Sequence, residues 1–349
     1  MIHLPRLPMA LGFYNVFRSS PVEKGPGQRM LDSQASRKII AFCHIEKSAG
    51  TTIVELMRAH FGLHHVDVQR RAIVRKAGRV MGYLNDADDL RRDFRFYPAV
   101  RSIAGHHLSP SIDFEEFESR FAWYTFLREP VARLRSHYLY EVALRNRRES
   151  LPDYLRALVR DDIMVRKLAG GERDLEAAKR IVREKVRFVG FQESFDVSLV
   201  LLRSYLGIHG LRLSYGRARN TSTRRVGGAR YRLHTLLSSQ QARYGSKVQD
   251  EARAQLDLHH GLLVEANELD QQLYDWVQGE IWPRQVEAYG GVRRLKADTE
   301  VEMARPPLRS RKTAYSFLYR NLVYKPYIRL VQRRNRLLGI SASTAAKLR

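Results

Sequence analysis

Between the apolar run KIIAF and an amphipathic stretch ending in VELM lies CHIEKSAGTT, Cys43 to Thr52. Lys47, Ser48, Ala49, Gly50, Thr51 and Thr52 are residue types that together can grip an anion. The first amides of a helix have no partner inside it and point at whatever sits at its N-terminus. The helix dipole favours negative charge there. Small side chains at 48–50 let an anion approach the backbone, Lys47 supplies a mobile cation, and the hydroxyls can donate. The order differs from a Walker A loop, GxxxxGK followed by Ser or Thr. Here the lysine precedes the loop's glycine. Two readings fit these residues: a phosphate grip, or an ordinary strand-to-helix turn in which Gly50 serves packing.

A grip of this kind needs a strand to deliver the loop and a helix to receive it. Residues 38–45, rich in Ile, Ala and Phe, predict a buried strand. Residues 51–60 predict a helix with Ile53, Leu56 and Met57 on one apolar face and Gly62 as its stop. The rhythm then repeats. VRSIAGHH, residues 100–107, is a short strand ending in two histidines. Residues 122–127 and 186–190 are strands, and 131–143 and 194–205 are helices. Asp113 with Glu116 reads as a capping box. Phe114, Phe117 and Phe121 follow at helical spacing, as a core stripe rather than a sugar platform. Residues 151–158 and 177–184 are helical, and LVEANELDQQLYDWV, residues 263–277, reads as one long helix. Alternation of this kind predicts an α/β fold with helices flanking a mostly parallel central sheet.

The 349 residues, 44% of them hydrophobic, suffice for one large core. A single cysteine, Cys43, excludes an intramolecular disulfide and a four-cysteine zinc site. The adjacent pairs His64–His65 and His259–His260 have no acidic partners at ligand spacing, and no metal is expected. A net charge of +24, from 61 basic and 37 acidic residues, favours polyanions such as nucleic acid, acidic glycans or an anionic membrane. No zinc pattern or aromatic RNA-binding signature accompanies the charge, so nucleic acid is not the expected partner. No apolar run nears the roughly 18 residues that span a bilayer. Pro8 breaks the short apolar start, which is a poor signal peptide. The body is expected to be cytoplasmic.

Residues 1–37 read as an irregular arm punctuated by Pro5, Pro8, Pro21 and Pro26. Residues 283–349 read as a basic, aromatic extension. No acid follows Glu302, while residues 303–349 hold twelve Lys or Arg together with Tyr315, Phe317, Leu318, Tyr319, Leu322, Val323, Tyr324 and Tyr327. Such an extension can lie on an anionic membrane surface, peripherally at the inner face. It can also pack on the body, recognise a polyanionic glycan, or remain a flexible tail.

HIEKSAGTT resembles the 5'-phosphosulfate loop of sulfotransferases that use 3'-phosphoadenosine 5'-phosphosulfate (PAPS). It is most similar to the carbohydrate branch that includes heparan sulfate 2-O-sulfotransferases and their bacterial relatives. Glu46 stands where that loop commonly has proline, and a carboxylate beside an anion is unfavourable unless it turns away or pairs. TFLREPVARLRSHYLYE, residues 125–141, resembles the family's 3'-phosphate motif, an arginine ending a strand (Arg128) and a serine eight positions later (Ser136). Pro130 suits the helix start. VGFQESFDVSLVLLRSYLG, NTSTRR (residues 220–225) and NELDQQLYDW resemble later family segments. The likeness covers residues 38–282.

The resemblance implies a P-loop-NTPase-like three-layer fold and a catalytic domain over 38–282. It implies transfer of a sulfuryl group from PAPS to a hydroxyl of a carbohydrate or glycoconjugate acceptor, leaving the desulfated product PAP. Lys47 and the amides of 48–52 would offset charge on the leaving phosphate. Arg128 and Ser136 would hold the 3'-phosphate. Asn220, Arg224 and Arg225 would belong to a loop closing over the cofactor. His106, in SIAGHHLSPSIDF, resembles the acceptor-side histidine and would be the general base. His107 is its rival, because neighbours on an extended segment point opposite ways. Arg212, Arg217, Arg219, Arg230 and Arg232 would bind the cofactor phosphate, line an acidic acceptor groove or form a solvated surface. Two other classes stay open. A nucleotide-dependent kinase-like enzyme lacks Walker A spacing and a magnesium carboxylate cluster here, and a nucleic-acid-binding protein has only the charge in its favour.

Overall fold

The computed structural model describes residues 38–68, 75–76, 79–80, 85–97, 99–145, 150–157, 162–213, 215, 246–306 and 311–337. All of these fall in one compact unit, Lys38–Arg349. Its centre is a five-stranded sheet, with every pairing parallel. The strands are β1 Ile39–Cys43, β2 His65–Asp67, β3 Ser102–Gly105, β4 Phe121–Leu127 and β5 Val186–Phe191. Their spatial order is β2-β3-β1-β4-β5.

A parallel sheet must be covered on both faces, and β1 shows how. All five of its residues are buried. Ile39, Ala41 and Cys43 enter one apolar core and Ile40 and Phe42 the other, as the two-residue period of a strand requires. The second core is filled from α1 (Gly50–Phe61) by Ile53, Leu56 and Met57. On the first lie α5 (Ile163–Leu168), through Met164, Val165 and Leu168, and α6 (Leu175–Glu184), through Ala178 and Val182. The second also receives α7 (Phe195–Tyr205), through residues 199–202. A fully buried side chain of this size contributes about 1.5–3 kcal/mol. Between these elements run α2 (Ala87–Phe94), α3 (Pro130–Arg145) and α4 (Leu151–Ala157). A third cluster joins α3 and α4 to α8 (Ser246–Leu258) and α9 (His260–Glu265) through Leu134, Tyr138, Tyr154, Leu256 and Leu263.

Three local readings need correction. The helix read over 263–277 breaks into α9 and α10 (Glu268–Trp276). Asn267 makes the break: its side-chain amide donates to the Leu263 carbonyl, and the carbonyl of Ala266 is drawn off by the Asp162 amide. The N-cap position falls on Phe114, not Asp113; Asp113 accepts from the Glu115 amide and Glu118 from the Phe114 amide, so no capping box forms. Glu116 pairs with Arg91 instead. The turn is a 3-10 helix, Glu115–Arg120, and Phe114, Phe117 and Phe121 are buried core residues on it and at the start of β4.

Described residues beyond 282 join the same cores. In α11 (Trp282–Tyr289), Val286 is buried and the Gln285 amide pairs with both the N–H and the carbonyl of Val189, which occupies the free edge of β5. Leu295 of α12 (Gly291–Met303) packs in the second core. Then α13 (Arg311–Tyr319), a π-helical turn (Arg320–Tyr324) and α14 (Lys325–Leu337) follow, with Tyr324 and Ile328 in the first core.

Candidate functional site

After β1 the chain turns through residues 44–49 into α1. Lys47 and Ala49 both take left-handed backbone, φ 68° and 63°. That conformation costs a non-glycine residue about 1 kcal/mol or more. Alternation of hand around Ser48 curls successive amides into a concave nest, the backbone form that binds anions. α1 starts without a side-chain cap and has no acid in its first turn, so neither usual neutraliser of its positive end is present. Ser48 is fully buried, and its hydroxyl has no hydrogen-bond partner. A buried group left so costs about 1–3 kcal/mol, which an anion in the nest would offset. Thr51 is exposed, and the Thr52 amide turns back to the Ala49 carbonyl at 3.1 Å. The Lys47 ammonium sits over the Tyr140 ring, 4.4 Å from its centroid. Burial and then Arg128 hold its pKa below the usual lysine value, against Glu46 and Glu141.

β4 lies beside β1 with Cys43 opposite Thr125, so Arg128 emerges next to the loop. Its Nη1 donates to the Lys47 carbonyl at 3.1 Å, while its buried Nε has no partner. The sequence-predicted Lys47 and Arg128 are therefore brought together. Glu129 caps α3 by accepting from the amides of Val131 and Ala132. Ser136 is half-buried four residues before Tyr140, on the helix face that Lys47 touches.

On the other side of β1 runs β3, with Gly105 opposite Cys43. His106 follows Gly105, and its ring stacks on His44 with centroids 3.9 Å apart. The His106 side chain is 45% exposed. His44 lies against Phe42 on its far side and fills the space over the helix start: a Cβ on Gly50 would come 1.8 Å from its Nε2. Gly50 thus serves packing, and what it packs is an imidazole at the nest. Burial lowers the pKa of both rings, His44 well below the usual histidine value, which keeps them neutral near pH 7. His107 places its carbonyl on the Asn85 amide at 2.8 Å.

Glu46 resolves its own apparent conflict by pairing. Oε2 is 3.0 Å from His137 Nε2 and Oε1 is 4.0 Å from His106 Nδ1. His137 Nδ1 in turn meets the Tyr154 hydroxyl at 2.7 Å. Lys167, whose pKa burial lowers, donates to the His106 carbonyl. His137, Tyr154 and Lys167 escaped sequence reasoning, and the loop's own His44 was given no role. The one available signal was Glu46 itself, a carboxylate beside an anion grip that needed a partner.

Asn220, Arg224 and Arg225 lie outside the described residues, as do Arg217, Arg219, Arg230 and Arg232; Arg212 is exposed. A cleft of about 880 Å³ opens beyond Glu129, but Glu129, Glu265 and Glu268 line it without Lys or Arg, the wrong sign for a phosphosulfate. Among the described residues no group of three or more His, Cys, Asp or Glu could hold a metal ion, and no helix is long and apolar enough to cross a membrane. No family model matches the chain, and no curated protein matches it in sequence.

Proposed function

We propose that the chain is a PAPS-dependent O-sulfotransferase built on a P-loop-NTPase-like three-layer domain. The observation that carries this reading is that the Lys47 loop, Arg128 and His106 extend from the carboxyl ends of three adjacent parallel strands, β1, β4 and β3. The chain runs from β1 outward to β2, back to β3, then across to β4, so the order reverses beside β1. Open α/β sheets bind ligands at that point. The unpartnered Ser48 hydroxyl and Arg128 Nε fit an anionic occupant.

PAPS, when bound, supplies a sulfuryl group on a phosphate leaving group. The nest and Lys47 hold the phosphosulfate end. The Arg128 fork and the Ser136 hydroxyl take the 3'-phosphate. Neutral His106 accepts the proton of the acceptor hydroxyl as the new O–S bond forms and the O–S bond to phosphate breaks. Lys47 and the nest amides offset the charge that grows on the phosphate oxygen. Glu46, held by His137, favours the imidazolium that His106 becomes. The acceptor is a hydroxyl of a carbohydrate or glycoconjugate.

The test is transfer of labelled sulfuryl from PAPS to a panel of polysaccharide and lipopolysaccharide acceptors, with His106→Ala beside wild type. Transfer by wild type and a loss of about 10²–10⁴-fold in the variant, at unchanged affinity for PAP, is the expected outcome. Equal transfer by both would move the base elsewhere.

A further inference from the structure

Helix Arg311–Leu337 is apolar on two opposite sides, and only one of them is covered. Its inner side is fastened to the body. Tyr324 and Ile328 are buried, the Tyr319 hydroxyl donates to the Phe96 carbonyl, and Tyr327 packs on Phe96 with ring centroids 4.1 Å apart. Arg320 Nη1 meets Asp67 Oδ2 at 3.0 Å, and Lys312 reaches the His60 carbonyl at 3.1 Å. Tyr319, Tyr324 and Tyr327, which composition alone left free to meet either a membrane or the body, hold the helix down.

A different set faces out: Tyr315 is 62% exposed, Leu318 51%, Leu322 71% and Leu330 66%. Intervals of three and four residues keep Tyr315, Leu318 and Leu322 on one side of a helix, and Leu330 is exposed beyond the π-helical turn Arg320–Tyr324. A surface helix normally buries one apolar stripe and turns polar residues to water. Large apolar residues grouped on the outside mark a contact surface. Its surroundings select the partner. Arg329 and Arg333 are exposed beside Leu330, and residues 311–337 contain no acid. A second copy of the chain would bring an equally acid-free strip against this one. An anionic bilayer instead offers an apolar interior beneath a layer of negative headgroups. The rod, about 40 Å long, is already ordered by its inner side, so it need not fold as it binds.

We propose that the outer side of helix Arg311–Leu337, built on Tyr315, Leu318, Leu322 and Leu330 and flanked by Arg329 and Arg333, docks on an anionic lipid bilayer. The surface stands apart from the nest and does not depend on the reaction assigned to it. The test is flotation of the full chain with vesicles of pure phosphatidylcholine and of equimolar phosphatidylcholine and phosphatidylglycerol. The comparison variant is Leu318→Ser, Leu322→Ser, Leu330→Ser, which leaves the net charge unchanged and alters only exposed side chains. Wild type is expected to float with the anionic vesicles and not the neutral ones, and the variant to partition about tenfold less at an unchanged melting temperature. Absence of wild-type flotation, or equal flotation of the variant, would overturn the proposal. So would a wild-type dimer that the variant abolishes without any vesicle binding, since that would give the face to a second copy.

Discussion

Gly50→Ala adds one methyl at the start of α1, and the structure fixes what it meets. The new Cβ would stand 1.8, 2.2 and 2.5 Å from His44 Nε2, Cδ2 and Cε1. Atoms in contact sit about 3.5–4.0 Å apart, so the ring must retreat by roughly 1.7–2.2 Å. Its exits are taken by Phe42 on one side and His106 on the other. Overpacking of this kind costs about 1–3 kcal/mol. Alanine recovers some of that through helix propensity, at most about 1 kcal/mol and less at a helix end. The net loss is about 1–2 kcal/mol. With an unfolding entropy of about 2.1 cal/mol/K per residue over a body of roughly 300 residues, the melting temperature falls by about 2–3 °C. Calorimetric scanning measures that fall, and PAP titration should show affinity down at least about tenfold, because the displaced ring crowds the nest. The double variant His44→Ala, Gly50→Ala removes the obstacle, so the two losses should be coupled by about 1 kcal/mol or more. An unchanged melting temperature in Gly50→Ala, or strict additivity in the double variant, refutes the reasoning.

Glu46→Gln removes the carboxylate that raises the His106 pKa against burial. That pKa then drops further, and the acid limb of the kcat/KM profile shifts to lower pH; a limb that stays put or moves up contradicts the role given to Glu46. Asp67→Asn leaves Arg58 and Arg320 without the carboxylate between them. It should cost about 2–3 kcal/mol, below the roughly 3–5 of a fully buried pair because both guanidiniums keep some exposure. Faster tryptic cleavage within 311–337 would mark the released helix, and cleavage at the wild-type rate would contradict the anchor. Burial pushes the Cys43 thiol up to about 11, so this single thiol should stay inert to thiol reagents near neutral pH until the protein unfolds, and prompt labelling of native protein would show the site open.

The sequence made the sheet legible where two signals agreed. Apolar runs bounded by turn residues placed β1, β4 and β5 within a residue or two, and Gly62 ended α1 as expected, with φ 59°. Where one side chain overrode a period, the reading failed. Asn267 broke a helix that spacing ran straight through, and a 3-10 turn carried phenylalanines that looked α-helical. The loop of residues 44–50 and Arg128 were readable because their chemistry is local to strand ends. The Glu46–His137–Tyr154 chain was not, because its members are 91 and 17 residues apart and meet only through the packing of α3 and α4. The extension was read by composition alone, which could not tell the tyrosines that dock the last helix from the leucines that face out.

Calorimetric titration of PAP into wild type, Lys47→Ala and Arg128→Ala tests the central claim most directly. Charge-assisted contacts are worth about 1.5–3 kcal/mol each, so each variant should bind roughly 10- to 150-fold more weakly while its circular dichroism and melting stay native. The Arg128 variant should lose at least as much as the Lys47 variant, since it also frees the Lys47 carbonyl. Folded wild type that binds no PAP, or binding that neither substitution weakens, would contradict the account and return residues 43–52 to an ordinary turn.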